Sequence, residues 1–251
     1  MTNVPHTAMV LAAGMGSRMR PLTETTAKPL LKVGGKALID HLLDNLVAAG
    51  VKRAVVNVHW CADLVEAHVK ARTDVEVIIS DEREQVLETG GGLAKARPLL
   101  GDDPILVVNT DAFWGEGGVA PIKLLANNFD PFEMDEILLL ADTKRCLGFH
   151  GAGDFFREPA TGHISRRGEA VAAPWAYAGV RIIKPQLYDD QPIEPFSANR
   201  IWNTLLPDGR MRGVLLDDFW LHVGDPQALK DAEMWMMCHG KAPLAWPRGA
   251  S

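Results

Sequence analysis

"VLAAGMGSRMRPLTETTAKPL", residues 10–30, starts as an apolar strand and then brings Gly14, Gly16, Arg18, Arg20, Pro21, Lys28 and Pro29 in quick succession. A short apolar run stopped by glycine reads as a buried strand over 8–14 that gives way to a loop. Glycine lets backbone amides approach an anion closely, and successive amides make a concave positive nest. Arginine adds a planar fork that fits phosphate oxygens and lysine a compact point charge. The loop therefore suits a phosphate, although the same residues would also make a glycine-rich turn with solvated cations.

Outward from this loop the chain alternates. "ALIDHLLDNLVAAG" (37–50) sets Leu38, Leu42, Leu43, Leu46 and Val47 at helical spacing, with Gly50 placed to end the helix. "RAVVNVHW" (53–60), "VEVIIS" (75–80) and "PILVVNTD" (104–111) read as strands, and 61–71 and 91–100 as the helices between them. Apolar strands alternating with amphipathic helices predict an α/β fold with a doubly wound, Rossmann-like, mostly parallel sheet. In such sheets ligands sit beyond the carboxyl ends of the strands, which singles out 13–20, 81–92 and 109–114.

Past residue 115 the pattern changes. Strands are expected at 136–143 and 175–185, a glycine-rich stretch with short β segments between them, a helix at 197–206, and a strand turning into a helix over 219–237 with Asp225 near its N-cap. No linker composition divides the chain. The expectation is one domain over 1–251, its nucleotide-binding part about 8–115 and a small α+β substrate lobe about 116–236, with a loosely packed tail at 240–251.

The chain has 251 residues, 47% hydrophobic and 23% charged, with a net charge of −6 and a pI near 5.7. That balance provides no global attraction to nucleic acid or anionic lipid, so a bound anion needs a local cluster. Cys61, Cys146 and Cys238 are odd in number and outside any CxxC spacing, which argues against a disulfide framework or a zinc site. The first residues lack a basic n-region and a long apolar core, and no apolar run approaches a membrane span, so a cytoplasmic location is expected.

Two other fingerprints fail. The dinucleotide pattern G-x-G-x-x-G has Met19 at its third glycine and no acidic residue closing the second strand, and no Walker A loop is present. "LETGGGLAKA" (87–96) offers a second glycine turn. Three glycines exceed what one turn needs, and the excess suggests backbone pressed against a flat ligand such as a base or sugar. Asp111 closes an apolar strand, where a carboxylate needs a positive partner; Lys28 or Mg²⁺ would serve, since magnesium takes one or two carboxylates plus phosphate oxygens.

In order and spacing, "LAAGMGSRMRPLTETTAKPL", "LETGGG", "VVNTD" and "WLHVGDPQAL" resemble the sugar-1-phosphate nucleotidylyltransferases, over roughly residues 8–236. "LETGGG" and "GAGDFF" (151–156) look most like the N-acetylmuramic acid-1-phosphate uridylyltransferases of that family; the mannose-1-phosphate guanylyltransferases, which use GTP, share most of the same elements. The resemblance implies a nucleotide-diphospho-sugar transferase type of fold and a Mg²⁺-dependent transfer from a nucleoside triphosphate to a sugar 1-phosphate. It implies no nucleic-acid or membrane partner and a monomer or small homo-oligomer. Arg18, Lys28 and Asp111 would be the catalytic residues. Leu11, Ala12, Ala13, Gly14, Gly16, Ser17, Glu88, Gly90, Gly91 and Asn109 would hold the nucleotide. Thr89, Gly153, Asp154, Phe155 and Gly179 would lie against the sugar.

Two departures stand out. The family's second magnesium aspartate, in a W-x-D-V-G pattern, is replaced here by His222, a poor ligand for a hard cation. Either Asp225 or Asp218 takes its place beside Asp111, or one carboxylate suffices, or activity is lost and the chain is a non-catalytic sugar-nucleotide sensor. The lysine of an E-K-P motif is also missing, with "REP" at 157–159 and Lys184-Pro185 as the nearest substitute.

Overall fold

The computed structural model describes residues 4–114 and 119–239; the expectation of a loose tail at 240–251 lies outside them. The first half forms β1 (Thr7–Leu11), a hairpin of β2 (Lys32–Val33) and β3 (Lys36–Ala37), α1 (Leu38–Ala49), β4 (Arg53–Val58), α2 (Ala62–Lys70), β5 (Glu76–Asp81), α3 (Glu88–Leu100), β6 (Ile105–Asn109) and β7 (Ala112–Trp114). The second half forms α4 (Val119–Asn128), β8 (Glu136–Asp142), β9 (Cys146–Leu147), β10 (Phe155–Arg157), β11 (Ile164–Arg166), β12 (Trp175–Ile183), α5 (Asn199–Leu205), β13 (Met211–Leu215), β14 (Trp220–His222) and α6 (Pro226–His239).

The sheet is parallel where the alternating pattern predicts it. Strand β1 lies between β4 and β6, and β5 continues beyond β4. Helix α1 buries Leu38, Ile39, Leu42, Leu43 and Leu46. Burial of each large apolar side chain contributes about 1.5–3 kcal/mol, which outweighs the roughly 1 kcal/mol forgone where no side chain caps its N-terminus. Gly50 then closes α1 in the left-handed region, φ +108°, its N–H reaching the carbonyls of Leu46 and Val47.

The second half does not form a core of its own. Strand β12 pairs antiparallel with β6, β8 pairs antiparallel with β12, and β13 runs parallel to β8, so one mixed nine-stranded sheet spans both halves. Its two faces draw on both halves: Val10, Ile39, Leu139 and Val180 pack on one side, and Met9, Leu93, Leu138 and Ile183 on the other. Where β12 passes β8 the register shifts between Tyr177 and Arg181. Gly179 sits in that irregularity at φ +82°, a conformation that only glycine takes without strain. Below it Arg181 pairs with Glu136 at 3.1 Å, both almost wholly buried, and the Trp202 indole N–H donates to the same carboxylate oxygen at 2.7 Å.

A small three-stranded sheet, β7–β14–β9, stands beside the main one. With α6 and the β2–β3 hairpin it forms a separate apolar cluster around Met19, Val33, Leu38, Phe219, Leu221 and Val223. Met19 is fully buried there. The residue that breaks the dinucleotide pattern is thus the anchor of the cationic loop.

Candidate active site

A cavity of about 480 Å³ opens beyond the carboxyl ends of β1, β4, β5 and β6. Each of these strands ends in residues that line it: Leu11 to Met19 after β1, Asn57 in β4, Glu82 after β5, and Asn109 to Asp111 after β6. Lys28, Pro29, Val86, Glu88, Thr89, Ser197 and Gly224 complete the wall.

The glycine-rich loop is fixed by a residue inside a strand. Asn57 Oδ1 accepts the backbone N–H of Ala12 at 2.7 Å and of Ala13 at 3.2 Å, and its amide nitrogen donates to Glu82 Oε1 at 2.7 Å. Glu82 Oε2 accepts the N–H of Leu87 at 3.0 Å. Burial pushes the Glu82 carboxyl above its usual range, against the pull of those two donors. The expected nest therefore starts later than the sequence suggests, because the amides of Ala12 and Ala13 are already engaged. Gly16 takes φ +61°, and its carbonyl accepts the Thr23 hydroxyl at 2.8 Å, which turns the loop back over the cavity. Asn57→Ala would leave two buried amides and a buried carboxylate oxygen without partners. The expected cost is about 2–4 kcal/mol, read as a lower urea midpoint at unchanged m; a midpoint equal to the parent's would refute the bracing role.

The charged centre lies on the β6 side. Lys28 Nζ donates to Asp111 Oδ2 at 2.6 Å, and His222 Nε2 stands 3.5 Å from the same oxygen. Burial pushes the Asp111 carboxyl up, but the Lys28 charge and the His222 ring together hold it well below the ordinary carboxylate range. Asp111 is thus an anion with one oxygen clamped and with Oδ1 carrying neither contact. His222 is itself fixed between Trp220 and Phe149, with ring centroids at 5.5 and 6.4 Å, and its Nδ1 is buried without a partner. Arg18 lines the cavity from the exposed side of the loop.

Of the residues expected at the site, Leu11, Ala12, Ala13, Gly14, Gly16, Ser17, Arg18, Lys28, Glu88, Thr89, Asn109 and Asp111 line this cavity. The others are placed elsewhere, each for a packing reason. Gly90 and Gly91 lie inside α3, which starts at Glu88, and their amides donate to the Phe196 carbonyl at 2.8 and 3.1 Å. A Cβ on Gly90 would meet the Phe196 ring at 2.3 Å, and one on Gly91 the Glu194 carbonyl oxygen at 2.0 Å. Gly90 and Gly91 thus press against the protein's own 194–196 segment, and a Cβ on Gly92 would meet Glu82 Oε1 at 2.8 Å. Gly153 abuts the Ala173 carbonyl, Asp154 Oδ2 accepts the Tyr177 N–H at 2.9 Å, and Phe155 is core. Gly179 sits against Ala112. Gly153, Asp154 and Phe155 tie the β10–β11 hairpin to β12, whereas Gly179 packs behind the cavity residue Asn109.

Asp225 also does not line the cavity. Its Oδ1 accepts the Ala228 N–H at 2.9 Å, at the start of α6. Asp218 Oδ1 accepts the Phe219 N–H at 2.6 Å. Among the described residues no cluster of three or more His, Cys, Asp and Glu is placed to hold a metal. Lys184 binds Asp135 at 2.6 Å and does not reach the wall. Asn57 and Ser197 are polar cavity residues outside every stretch singled out from the sequence, and Glu82 falls within 81–92 without having been named. An asparagine inside "RAVVNVHW" was the available signal for the first, since a buried polar side chain needs partners. Ser197 comes from the far half of the chain and carried none.

Among the described residues no helix is long and apolar enough to cross a membrane. Residues 7–129 match the family described as Nucleotidyl transferase. The chain is 50% identical over 237 residues to an N-acetylmuramate alpha-1-phosphate uridylyltransferase of Caulobacter vibrioides, covering 93% of this chain and 98% of that protein. It is 35% identical to the protein of the same name from Neisseria meningitidis serogroup B, over 90% and 96% of the two chains. The fold is shared with the inositol-1-phosphate CTP transferase of T. maritima, at a TM-score of 0.77 and 16% identity, covering 97% of this chain and all of that one.

Proposed function

From membership in the sugar-1-phosphate nucleotidyltransferase family, to which this chain belongs, we propose that it joins UTP to N-acetylmuramic acid 1-phosphate in cell-wall sugar recycling. The products are the nucleotide-sugar and pyrophosphate. The observation that carries this reading is the meeting of Arg18, Lys28 and Asp111 with the glycine loop in one cavity, in a chain 50% identical to a uridylyltransferase.

In the step itself a phosphate oxygen of the sugar 1-phosphate attacks the α-phosphorus in line. A new P–O bond forms, the bond from the α-phosphorus to its bridging oxygen breaks, and pyrophosphate leaves with the electron pair. The attacking phosphate is already anionic at neutral pH, so no side chain has to remove a proton. The protein contributes alignment and charge. Arg18 takes the departing phosphates with its fork, and Lys28 neutralises the α-phosphate and the sugar phosphate. Asp111 holds the Lys28 ammonium in place.

The donor set also fits a divalent cation of magnesium type, which needs only one or two carboxylates when substrate phosphates supply the remaining oxygens. Asp111 would hold it alone, because Asp225 and Asp218 accept backbone amides and His222 already leans on Asp111. Bound there, such an ion would polarise phosphate oxygens as a Lewis acid.

The test is a pyrophosphate-release screen of UTP, GTP, CTP and ATP against a panel of sugar 1-phosphates in Mg²⁺. Turnover is expected with UTP and N-acetylmuramic acid 1-phosphate above every other pair. A preference for GTP with mannose 1-phosphate would replace this reading with the guanylyl one. Calorimetric binding without release from any pair would make the chain a sensor.

A further inference from the structure

We propose that the Glu88 carboxylate reads the pyrimidine base, accepting the imide N3–H of uracil and so selecting UTP over CTP; this rests on the nucleotidyl-transfer reading above. Segment 87–91 is pinned on both sides of this residue. The Leu87 N–H is bound by Glu82, and its carbonyl accepts the Phe196 N–H at 3.2 Å. The Thr89 hydroxyl accepts the Ala198 N–H at 2.9 Å, and the amides of Gly90 and Gly91 go to the Phe196 carbonyl. Between these anchors Glu88 lines the cavity, is exposed, and forms no side-chain hydrogen bond or ion pair among the described residues.

Its charge has a defined place in the cavity. A lone carboxylate repels a triphosphate unless it stands away from the phosphates. The sheet order β6–β1–β4–β5 puts the Lys28–Asp111 pair beyond β6, whereas Glu88 is tied through Leu87 to Glu82 at the end of β5. Three strand spacings, about 14 Å, separate the two sides. The two buried polar side chains that line the cavity on the β5 side are already engaged: Asn57 at both ends of its amide, and Glu82 at both oxygens. Glu88 remains as an acceptor with nothing to accept. Among described non-glycine residues only Cys61 shares its positive φ, here +59°, which glycine would adopt without strain. The side chain is therefore not kept for the backbone's sake.

A carboxylate accepts hydrogen bonds and cannot donate one at neutral pH. Uracil offers it a ring N–H. Cytosine presents a lone pair at the same ring position, and two facing acceptors repel. Glutamine at 88 would remove this discrimination, because its amide can turn either its oxygen or its NH₂ to the base.

The experiment measures kcat/KM and calorimetric Kd for UTP and CTP on the full chain and on Glu88→Gln and Glu88→Gly. Both variants are expected to lower the UTP-to-CTP preference by about ten- to a hundredfold, the range for a charged hydrogen bond. Glu88→Gly should melt no lower than the parent. A preference unchanged within about threefold in both variants, or an effect confined to the KM of the sugar phosphate, overturns the proposal. Failure of the parent to release pyrophosphate from any nucleotide overturns the reaction instead. In that case the ratio of dissociation constants still decides the role of Glu88.

Discussion

Asp111→Asn is expected to lower kcat/KM for pyrophosphate release by about a thousandfold or more, while the melting temperature moves by only about 2–4 °C. The amide keeps the size of the side chain and removes its charge. Lys28 then loses the anion that holds its ammonium at 2.6 Å, and His222 loses the oxygen it leans on. The Lys28 ammonium is then free to swing onto the substrate phosphates in unproductive arrangements. The stability cost stays small because the pair is partly exposed, with 12% and 17% of the two side chains open to solvent, and water replaces the lost contact.

Lys28→Ala should produce a comparable loss, and the double variant should fall well short of the product of the two. Residues that act through one contact are strongly non-additive. Native-like turnover by Asp111→Asn in saturating Mg²⁺ would sink the assignment. The parent's response to acid provides a second check. Since the native carboxyl is held below its usual value near pH 4, it is ionised above that pH, and its share of stability is lost only as the pH falls further. An acid limb in activity between pH 5 and 7, in roughly that window, would belong to another group.

The parallel half of the sheet was legible because its strands are buried on both faces, so the apolar runs at 8–11, 53–58 and 105–109 show without ambiguity. The loop after β1 was legible as cavity wall because glycine ending an apolar strand places it beyond the sheet's carboxyl edge, although its cations alone suit an anion site or a solvated turn. The second half was harder to place. Nothing in "WAYAGVRII" says that this strand inserts antiparallel against β6, since pairing direction is set by tertiary packing and leaves no local trace. The resemblance implies a sugar contact for 153–155, and in the fold these residues sit where the β10–β11 hairpin joins β12. The resemblance puts His222 where the family's second magnesium aspartate stands, and the fold shows the ring leaning on Asp111.

The triple glycine supplies the second large effect, and it sets two forces against each other. Glycine inside a helix costs roughly 0.5–1 kcal/mol relative to alanine, so Gly91→Ala would stabilise an isolated α3. In the folded chain the new methyl would stand 2.0 Å from the Glu194 carbonyl oxygen and 3.1 Å from Leu87 Cβ. Both neighbours are firmly held: Leu87 by Glu82 and Phe196, and the 194–196 strap by the amides of Gly90 and Gly91. The backbone has to separate, and the two bonds to Phe196 go with it. Overpacking of about 1–3 kcal/mol plus two hydrogen bonds at about 1 kcal/mol each exceeds the helix gain severalfold. Net destabilisation of about 2–4 kcal/mol should follow, a fall of roughly 5–15 °C in melting temperature. Gly14→Ala provides the contrast, because a Cβ there has nothing within 4 Å. It should melt like the parent and lose nucleotide affinity, since the space it fills belongs to the cavity. If Gly91→Ala melted at or above the parent, α3 would not be packed against the 194–196 strap, and the glycine run would revert to a role in the ligand site.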